Sequence, residues 1–596
     1  MSGLILITLI FVGEEEPYSR VYELGGIVVT AKKTELTPNL IIEINSEELK
    51  AKGANTVGEA LRFIPFVYTR IGRKGENYLE ILGIEQREIV VMLDGHPIYS
   101  PYEGSTDLDQ ISLDNISKIE IALPPVSLLH GANSLGGVVN IVSKKYSKNI
   151  SLGISKGMSG NAVVNYGDKL DDFYYYLTYG ISKSEGYPLP DGTIRENSDY
   201  FKRQLTGKIG WEPGPTTELG ISLANYWNKK GIPPGLISPR YWRFTDWNWW
   251  YIALHGKVLL PGRIKIRGSG FYDTHKNTLI SYEDSTYTGI EGVSDYDNHT
   301  KGAYMTASIN LGEFSTSTFG GSFKVDNVRI KKTDEPLREH EGQTVSLSIQ
   351  EKIIVPALGL HLEGEAGYDG FMGTESKIHF INYRTGGVYF IGSRYSLFFS
   401  IGKKNRFPTL KELYSPSSGN PDLLPEHSIS YQLGINLQPL KLVLFRNNVT
   451  NLIDREGRYS NYENLNWARL QGFSIQGIYM FFTMNYTFLD AYTISYEPLD
   501  FKPKHSLNFG FNYSFNFGLT INLNGSWIDR RKDGDDFLES YTIFNTNIRQ
   551  KIGKFAIIEL GSSNITNEWY EEEMGYPLAG RIFRAKLLVN FEGGEV

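Results

Sequence analysis

Residues 507–515 read LNFGFNYSF. Leu507, Phe509, Phe511, Tyr513 and Phe515 are large and apolar or aromatic, whereas Asn508, Gly510, Asn512 and Ser514 between them are small or polar. Successive side chains of a β-strand point to opposite faces, so this stretch has one oily side and one wet side. Such a strand separates either a protein core from water or lipid from a hydrated lumen.

The same alternation recurs from about residue 150 to the C-terminus. LTINLNGSW sets Leu519, Ile521 and Leu523 against Thr520, Asn522 and Asn524, and IFRAKLLVNF sets Phe583, Ala585, Leu587, Val589 and Phe591 against Arg584, Lys586 and Asn590. Aromatics crowd near segment ends, most densely in WRFTDWNWWY, where Trp242, Trp247, Trp249, Trp250 and Tyr251 read as part of an interfacial girdle. At roughly 20 residues per membrane strand with its share of turns and loops, residues 151–596 make about 22 antiparallel strands. A barrel of that size has a lumen too wide for side chains to fill. Closure also satisfies every strand's backbone hydrogen bonds, as hydrocarbon demands.

Composition agrees. At 596 residues the chain exceeds one ordinary globular core, and 13% aromatic content with 62 glycines favours many strands joined by tight turns. Cysteine is absent, which excludes disulfides and thiolate metal sites. The net charge of −7, without a basic stripe, gives no nucleic-acid signal. No apolar run reaches the 18–20 residues of a membrane helix. LILITLIFV, Leu4–Val12, has the length of an export-signal core but lacks a preceding Lys or Arg, so residues 1–16 read as an atypical signal segment.

Residues 36–145 follow another grammar, that of a compact α/β unit. TVGEALRFIP carries a capping-box pattern, with Thr56 as cap, Glu59 three residues on and Pro65 as the stop. EIVVMLDG is a buried strand running into an Asp94-Gly95 turn. GANSLGG, Gly131–Gly137, lacks the Lys-Ser/Thr ending of a phosphate loop and precedes a strand, VVNIVS, so it reads as tight turns. There is no Ser-His-Asp or HExxH spacing, and no enzyme is expected.

With these motifs in this order, the chain resembles the TonB-dependent outer-membrane receptors, nearest the cobalamin and siderophore group. GGIVVTAKK resembles a TonB box; GANTVGEALRFIPFV, VVMLDGHPIYSPYEG, LDNISKIEI and LLHGANSLGGVVNIVSKK resemble plug motifs; NRFPTLKELYSP, GNPDLLPE, ARLQGFSIQG, FKPKHSLNFG and NITNEWYEEEMGYPLAGRIFRAKL resemble barrel signatures. The resemblance implies an all-β transmembrane barrel (146–596), its lumen filled by the α/β plug (36–145), with box and linker at 17–35. It implies active uptake across the outer membrane of a scarce nutrient, a metal chelate such as cobalamin or a ferric siderophore, by a monomer with no required cofactor, driven by TonB and its inner-membrane motor. An oligosaccharide receptor of the same architecture, a passive porin and an adhesin barrel are the alternatives.

Residue by residue, Gly26, Ile27, Val28, Val29, Thr30 and Ala31 are the expected TonB contact, and their β-branched run suits strand addition to a partner sheet. Arg70, Arg73, His96, Tyr99 and Tyr102 fall where the family's apical plug loops meet ligand. Asp295 and Asp297 in SDYDN offer oxygen ligands of the kind Ca²⁺ takes. Two plug positions depart from the family pattern: Leu82 and Leu123 stand where arginines are usual. Apolar contact is expected to replace a plug–wall ionic lock at both.

Overall fold

The computed structural model describes residues 21–24, 27–30 and 40–591, except 157–158, 374–376, 393 and 456–459. The signal segment, Gly26, Ala31 and most of the linker lie outside these residues. From Ser147 to Asn590, 22 antiparallel strands close into one barrel, each paired with its neighbour in sequence and the first, Ser147–Ser155, with the last, Ile582–Asn590. The strand His505–Ser514 carries the opening motif, and its oily row meets Phe482, Leu523, Ile521 and Trp527 on neighbouring strands. The oily face therefore looks to lipid and the wet face to the lumen.

One end of the barrel has short turns, such as Leu170–Phe173 and Gly214–Thr217, and the other has long loops, such as 407–425 and 564–581. In outer-membrane barrels these ends face the periplasm and the exterior respectively. The wall is uneven. Strands Tyr241–Leu260, Ile264–Tyr282 and Ile290–Asn310 have 20, 19 and 21 residues, while His505–Ser514, Ala556–Ser563 and Ile582–Asn590 have 10, 8 and 9.

The aromatic cluster at 242–251 is not a girdle arc. Period-2 alternation splits it: Trp250 is 47% exposed on the outside, whereas Trp249 and Tyr251 are 1% and 2% exposed inside. Trp249 stacks on Tyr226 at 4.7 Å and donates to Asp273 Oδ2 at 2.6 Å. Spacing of two, not local density, decides which face an aromatic takes.

Inside the barrel sits a five-stranded mixed sheet, ordered 41–45, 116–122, 137–143, 89–93 and 96–97, with a three-stranded apical hairpin built from 67–71, 77–81 and 84–85. The helix Val57–Leu61 is capped as its sequence predicts on one side only. Thr56 Oγ1 accepts from Glu59 N at 3.2 Å, but the Glu59 carboxylate takes Asn55 N at 2.9 Å instead of the cap residue's own N–H. Gly131 and Gly137 adopt φ of 74° and 136°, as their turns require.

Two consequences are measurable. Leu223 faces lipid midway along its strand, in register with Leu177 and Ile252 across Gly207. Leu223→Arg should cost about 2–4 kcal/mol in denaturant-dependent folding into vesicles, whereas Phe511→Lys, beside Phe481 and Phe482 near a periplasmic turn, should cost about 0–1. The second concerns acid. Burial works against the charge of Asp114, yet Lys586 Nζ at 2.9 Å and Lys50 Nζ at 3.8 Å hold its carboxyl at about 2. Glu103 is held at about 2 against burial by Lys411 and Lys74. A depressed folded pKa stabilises above the unfolded value of about 4 and loses that effect as pH falls through the folded one. Plug–wall contact should therefore hold at pH 5–8 and weaken from about pH 4 to 2, read by fluorescence of the lumen-facing tryptophans.

Candidate functional site

The apical hairpin carries two of the five expected ligand contacts to the outer face of the plug. Arg70 and Arg73 lie at its tip, where both meet Glu573 of the loop after Ser563, Arg70 Nη1 at 3.7 Å and Arg73 through Nε; Arg73 also reaches Asp533 at 3.7 Å. The Arg70 guanidinium lies 4.1 Å over the Phe501 ring. Ile71 N donates to Glu572 Oε2 at 2.7 Å, and Arg62 Nη2 approaches the same oxygen at 3.4 Å.

The segment 94–102 does not stay at the apex; it climbs the wall. His96 is 1% exposed and packs among Tyr251, His255 and Phe271 in the periplasmic half, so it is not an apical contact. Burial, with His255 adding to it, pushes its imidazole down to about 4. Tyr99 donates to Asp326 Oδ1 at 2.6 Å at mid-height. Tyr102 reaches the upper wall, its ring 5.3 Å from Tyr296. A strand spans about 3.3 Å per residue, so eight residues suffice to cross most of the lumen.

Asp295 and Asp297 belong to the long strand Ile290–Asn310 and share its outward parity, opposite to buried Asn298 and Thr300. Thr278 Oγ1 donates to Asp295 at 2.6 Å, and Asp297 pairs with Lys276 at 3.1 Å and His299 at 2.9 Å. They sit in a strand instead of a loop, with their oxygens engaged, and among the described residues no three His, Asp or Glu side chains converge as metal ligands. Of the expected TonB contact, Ile27–Thr30 form a strand paired antiparallel with Val21–Leu24.

Cavities lie between plug and wall at several heights, two of them in opposite halves. One of about 290 Å³ lies on the outer half, lined by Thr56, Glu59, Ser112, Tyr200, Lys202 and Arg584. The other, about 160 Å³, lies on the periplasmic half beside Asp94, His96, Lys208, Glu218 and His255. Lys208 Nζ closes on Asp94 at 2.8 Å there.

The plug–wall lock corrects half of the sequence expectation. Leu82 is buried in one apolar cluster with wall Leu470 and Leu489, and a Cβ on Gly83 would lie 2.8 Å from Leu489 Cδ2 and 2.9 Å from Leu470 Cδ2. Apolar contact does replace the arginine at Leu82. Near Leu123 a carboxylate pair is present: wall residues Glu363 and Glu365 face plug residues Pro125 to Leu128, with Glu365 accepting from Ser127 Oγ at 3.0 Å and Leu128 N at 2.5 Å. The cation now comes from the wall itself. Arg384 Nη1 contacts Glu363 at 2.9 Å and Glu365 at 2.7 Å, and its Nε donates to Pro125 O at 2.9 Å. Lys404 Nζ donates to Ser127 O and Gly131 O at 3.2 and 3.1 Å. Nearby, plug Arg87 pairs with wall Glu412 at 2.9 Å, so an ionic link to the plug survives five residues from Leu82.

None of Glu363, Glu365, Arg384, Glu572 or Glu573 stands among the sequence candidates. The signal of the four glutamates was in the polar parity of HLEGEAGYDG and in the acidic run of NEWYEEEMGY.

Residues 33–138 match the TonB-dependent Receptor Plug Domain, and residues 137–567 match the family described as TonB dependent receptor-like, beta-barrel. The vitamin B12 transporter BtuB of Photobacterium profundum is 22% identical over 518 residues, covering 80% of this chain and 79% of that one. Among solved structures, the copper transporter OprC superposes with a TM-score of 0.82 at 14% identity over 93% of this chain and 99% of its own. The siderophore receptor PirA from Acinetobacter baumannii does so at 0.77 and 17%, over 92% and 98%. A plug that fills the lumen of a closed 22-strand barrel, matched by family over most of its length, places this outer-membrane chain in the TonB-dependent receptor family.

Proposed function

We propose that this protein takes up a metal chelate across the outer membrane, using energy delivered by TonB to the segment Gly26–Ala31. The observation that carries this reading is the filled lumen. Plug and wall are joined by buried hydrogen bonds and ion pairs at several heights, so no open path exists for passive flow of a large solute among the described residues. Remodelling that plug needs work, and an extended N-terminal strand is the handle a periplasmic partner sheet can take. The names of the relatives, a vitamin B12 transporter, a copper transporter and a siderophore receptor, support a metal-bearing cargo. The protein acts as a monomer, without a resident cofactor and without enzymatic activity.

The test is uptake by cells carrying this receptor alone. Radiolabelled cyanocobalamin and ⁵⁵Fe chelates are supplied with and without a protonophore. Accumulation that collapses with the proton gradient fits the proposal; gradient-independent accumulation, or uptake of oligosaccharides in place of chelates, sinks it.

A further inference from the structure

The apex of the plug is a cradle for anions. Arg62, Arg70 and Arg73 converge on its outer face with the Ile71 N–H, and Arg531 of the extracellular hairpin 531–538 stands beside them. What fills the cradle is the acidic run Glu571-Glu572-Glu573 of the loop between Ser563 and Ile582. Glu572 is 2% exposed: one of its oxygens takes Ile71 N and Arg62, the other accepts from Tyr541 OH at 3.1 Å. Glu573 is 6% exposed and sits between Arg70 and Arg73. Arg531 Nη2 donates to Glu571 O, and the Glu571 carboxylate takes Gly575 N at 2.8 Å, which folds the run back onto itself.

The cradle's charge is unbalanced once the loop is lifted. Glu80 lies 3.7 Å from Arg70 Nε, too long for a hydrogen bond, and Glu80 and Glu85, which both attract Arg70, share Lys502 at 3.0 Å each. Asp533 lies 3.7 Å from Arg73, and Asp109 acts on Arg62 at longer range. With the loop lifted, Arg62, Arg70 and Arg73 would lose Glu572 and Glu573, and leaving buried cations short of partners is costly. Burial drives Glu573 up while Arg70 and Arg73 pull it down, as for a carboxylate held in a dry site. Planar guanidinium groups and an amide N–H suit carboxylate or catecholate oxygens rather than a neutral macrocycle.

We infer that Glu572 and Glu573 are internal stand-ins for the anionic groups of the ligand, and that an anionic chelate binds by displacing them from Arg62, Arg70, Arg73 and the Ile71 N–H. The loop then covers the empty receptor and yields only to a cargo carrying matched negative charge. This rests on the chelate-uptake reading and narrows it to anionic chelates, cobalamin being excluded.

The experiment uses the purified full chain in detergent with ferric citrate, a ferric tris-catecholate and cyanocobalamin as probes, read by tryptophan fluorescence. The double variant Glu572→Gln/Glu573→Gln should bind at least one ferric anion 10-fold or more tighter than the unaltered protein does, and Arg70→Gln/Arg73→Gln should lose that binding. Hydrogen exchange is the second measurement: residues 570–576 should exchange at least 10-fold faster in either variant, and in the unaltered protein on addition of the bound anion. The inference is overturned if neither ferric anion binds the Glu572→Gln/Glu573→Gln protein, if affinity is equal in all forms, or if cyanocobalamin binds and speeds loop exchange. Each of those results leaves energised uptake of another chelate standing, because that reading is judged by the protonophore experiment.

Discussion

Arg384→Ala is expected to destabilise the folded receptor by about 3–5 kcal/mol, the range for removing one partner of a buried ionic group. The Arg384 side chain is 0% exposed, and Glu363 and Glu365 beside it are 3% and 0% exposed. Lys352, 3.0 Å from Glu363, would remain, as would the neutral donors Ser127, Leu128 and Gln350 on Glu365. Those donors cannot offset two carboxylates facing each other without their shared cation. The plug would also lose the bond to Pro125 O, so its segment 125–134 should become cleavable by protease before the barrel unfolds. Melting temperature and protease sensitivity are the readouts. Adding Glu363→Gln and Glu365→Gln to Arg384→Ala should restore most of the loss, since neutral amides need no counter-ion. A single Arg384→Ala protein as stable as the original would mean the pair is solvated or protonated, contrary to the burial found.

The second large effect is on transport. Val28→Pro should abolish energised uptake, by two orders of magnitude or more, while equilibrium binding of the cargo stays within about twofold. Ile27–Thr30 already form a strand, pairing with Val21–Leu24. A partner sheet that captures this segment needs its backbone N–H groups, and proline removes one and cannot sit inside a ladder. The substitution lies in a two-stranded sheet separate from the barrel sheet and far in sequence from the apical cradle. Val28→Thr, which keeps both the N–H and the β-branch, should transport normally. Loss of binding together with transport would show a folding defect, and unimpaired transport by Val28→Pro would place the coupling elsewhere.

The barrel was legible because it depends on parity, which a single sequence displays. Leu507 to Phe515 and Leu519 to Leu523 announce their faces without knowledge of any partner. Strand number followed from length. Parity also corrects what density suggested at 242–251, where counting aromatics misled and counting by twos would have placed Trp249 inside. The lock was only half legible. Its plug side shows in Leu82 and Leu123, but its counter-charge moved from one domain to the other, to Arg384, more than 250 positions away in the chain. Nothing local marks such a transfer, because Arg384 looks like any lumen-facing residue until Glu363 and Glu365 are known to be its neighbours. His96 failed for a related reason. Proximity in sequence to Tyr102 says nothing of depth when the intervening chain runs along the barrel axis.

The unequal strands have a consequence for arrival. The ten residues by which Ile264–Tyr282 exceeds Ile582–Asn590, at about 3.3 Å each and inclined as barrel strands are, raise one flank of the mouth about 25 Å above the other. The opening is thus a bevelled spout instead of a level well. Traffic along the cell surface meets a parapet on the side of Tyr241–Asn310 and a low sill on the side of Ala556–Asn590, and Glu571 to Glu573 rest just above that sill. On that flank the rim is therefore made by the loop 564–581, not by the wall.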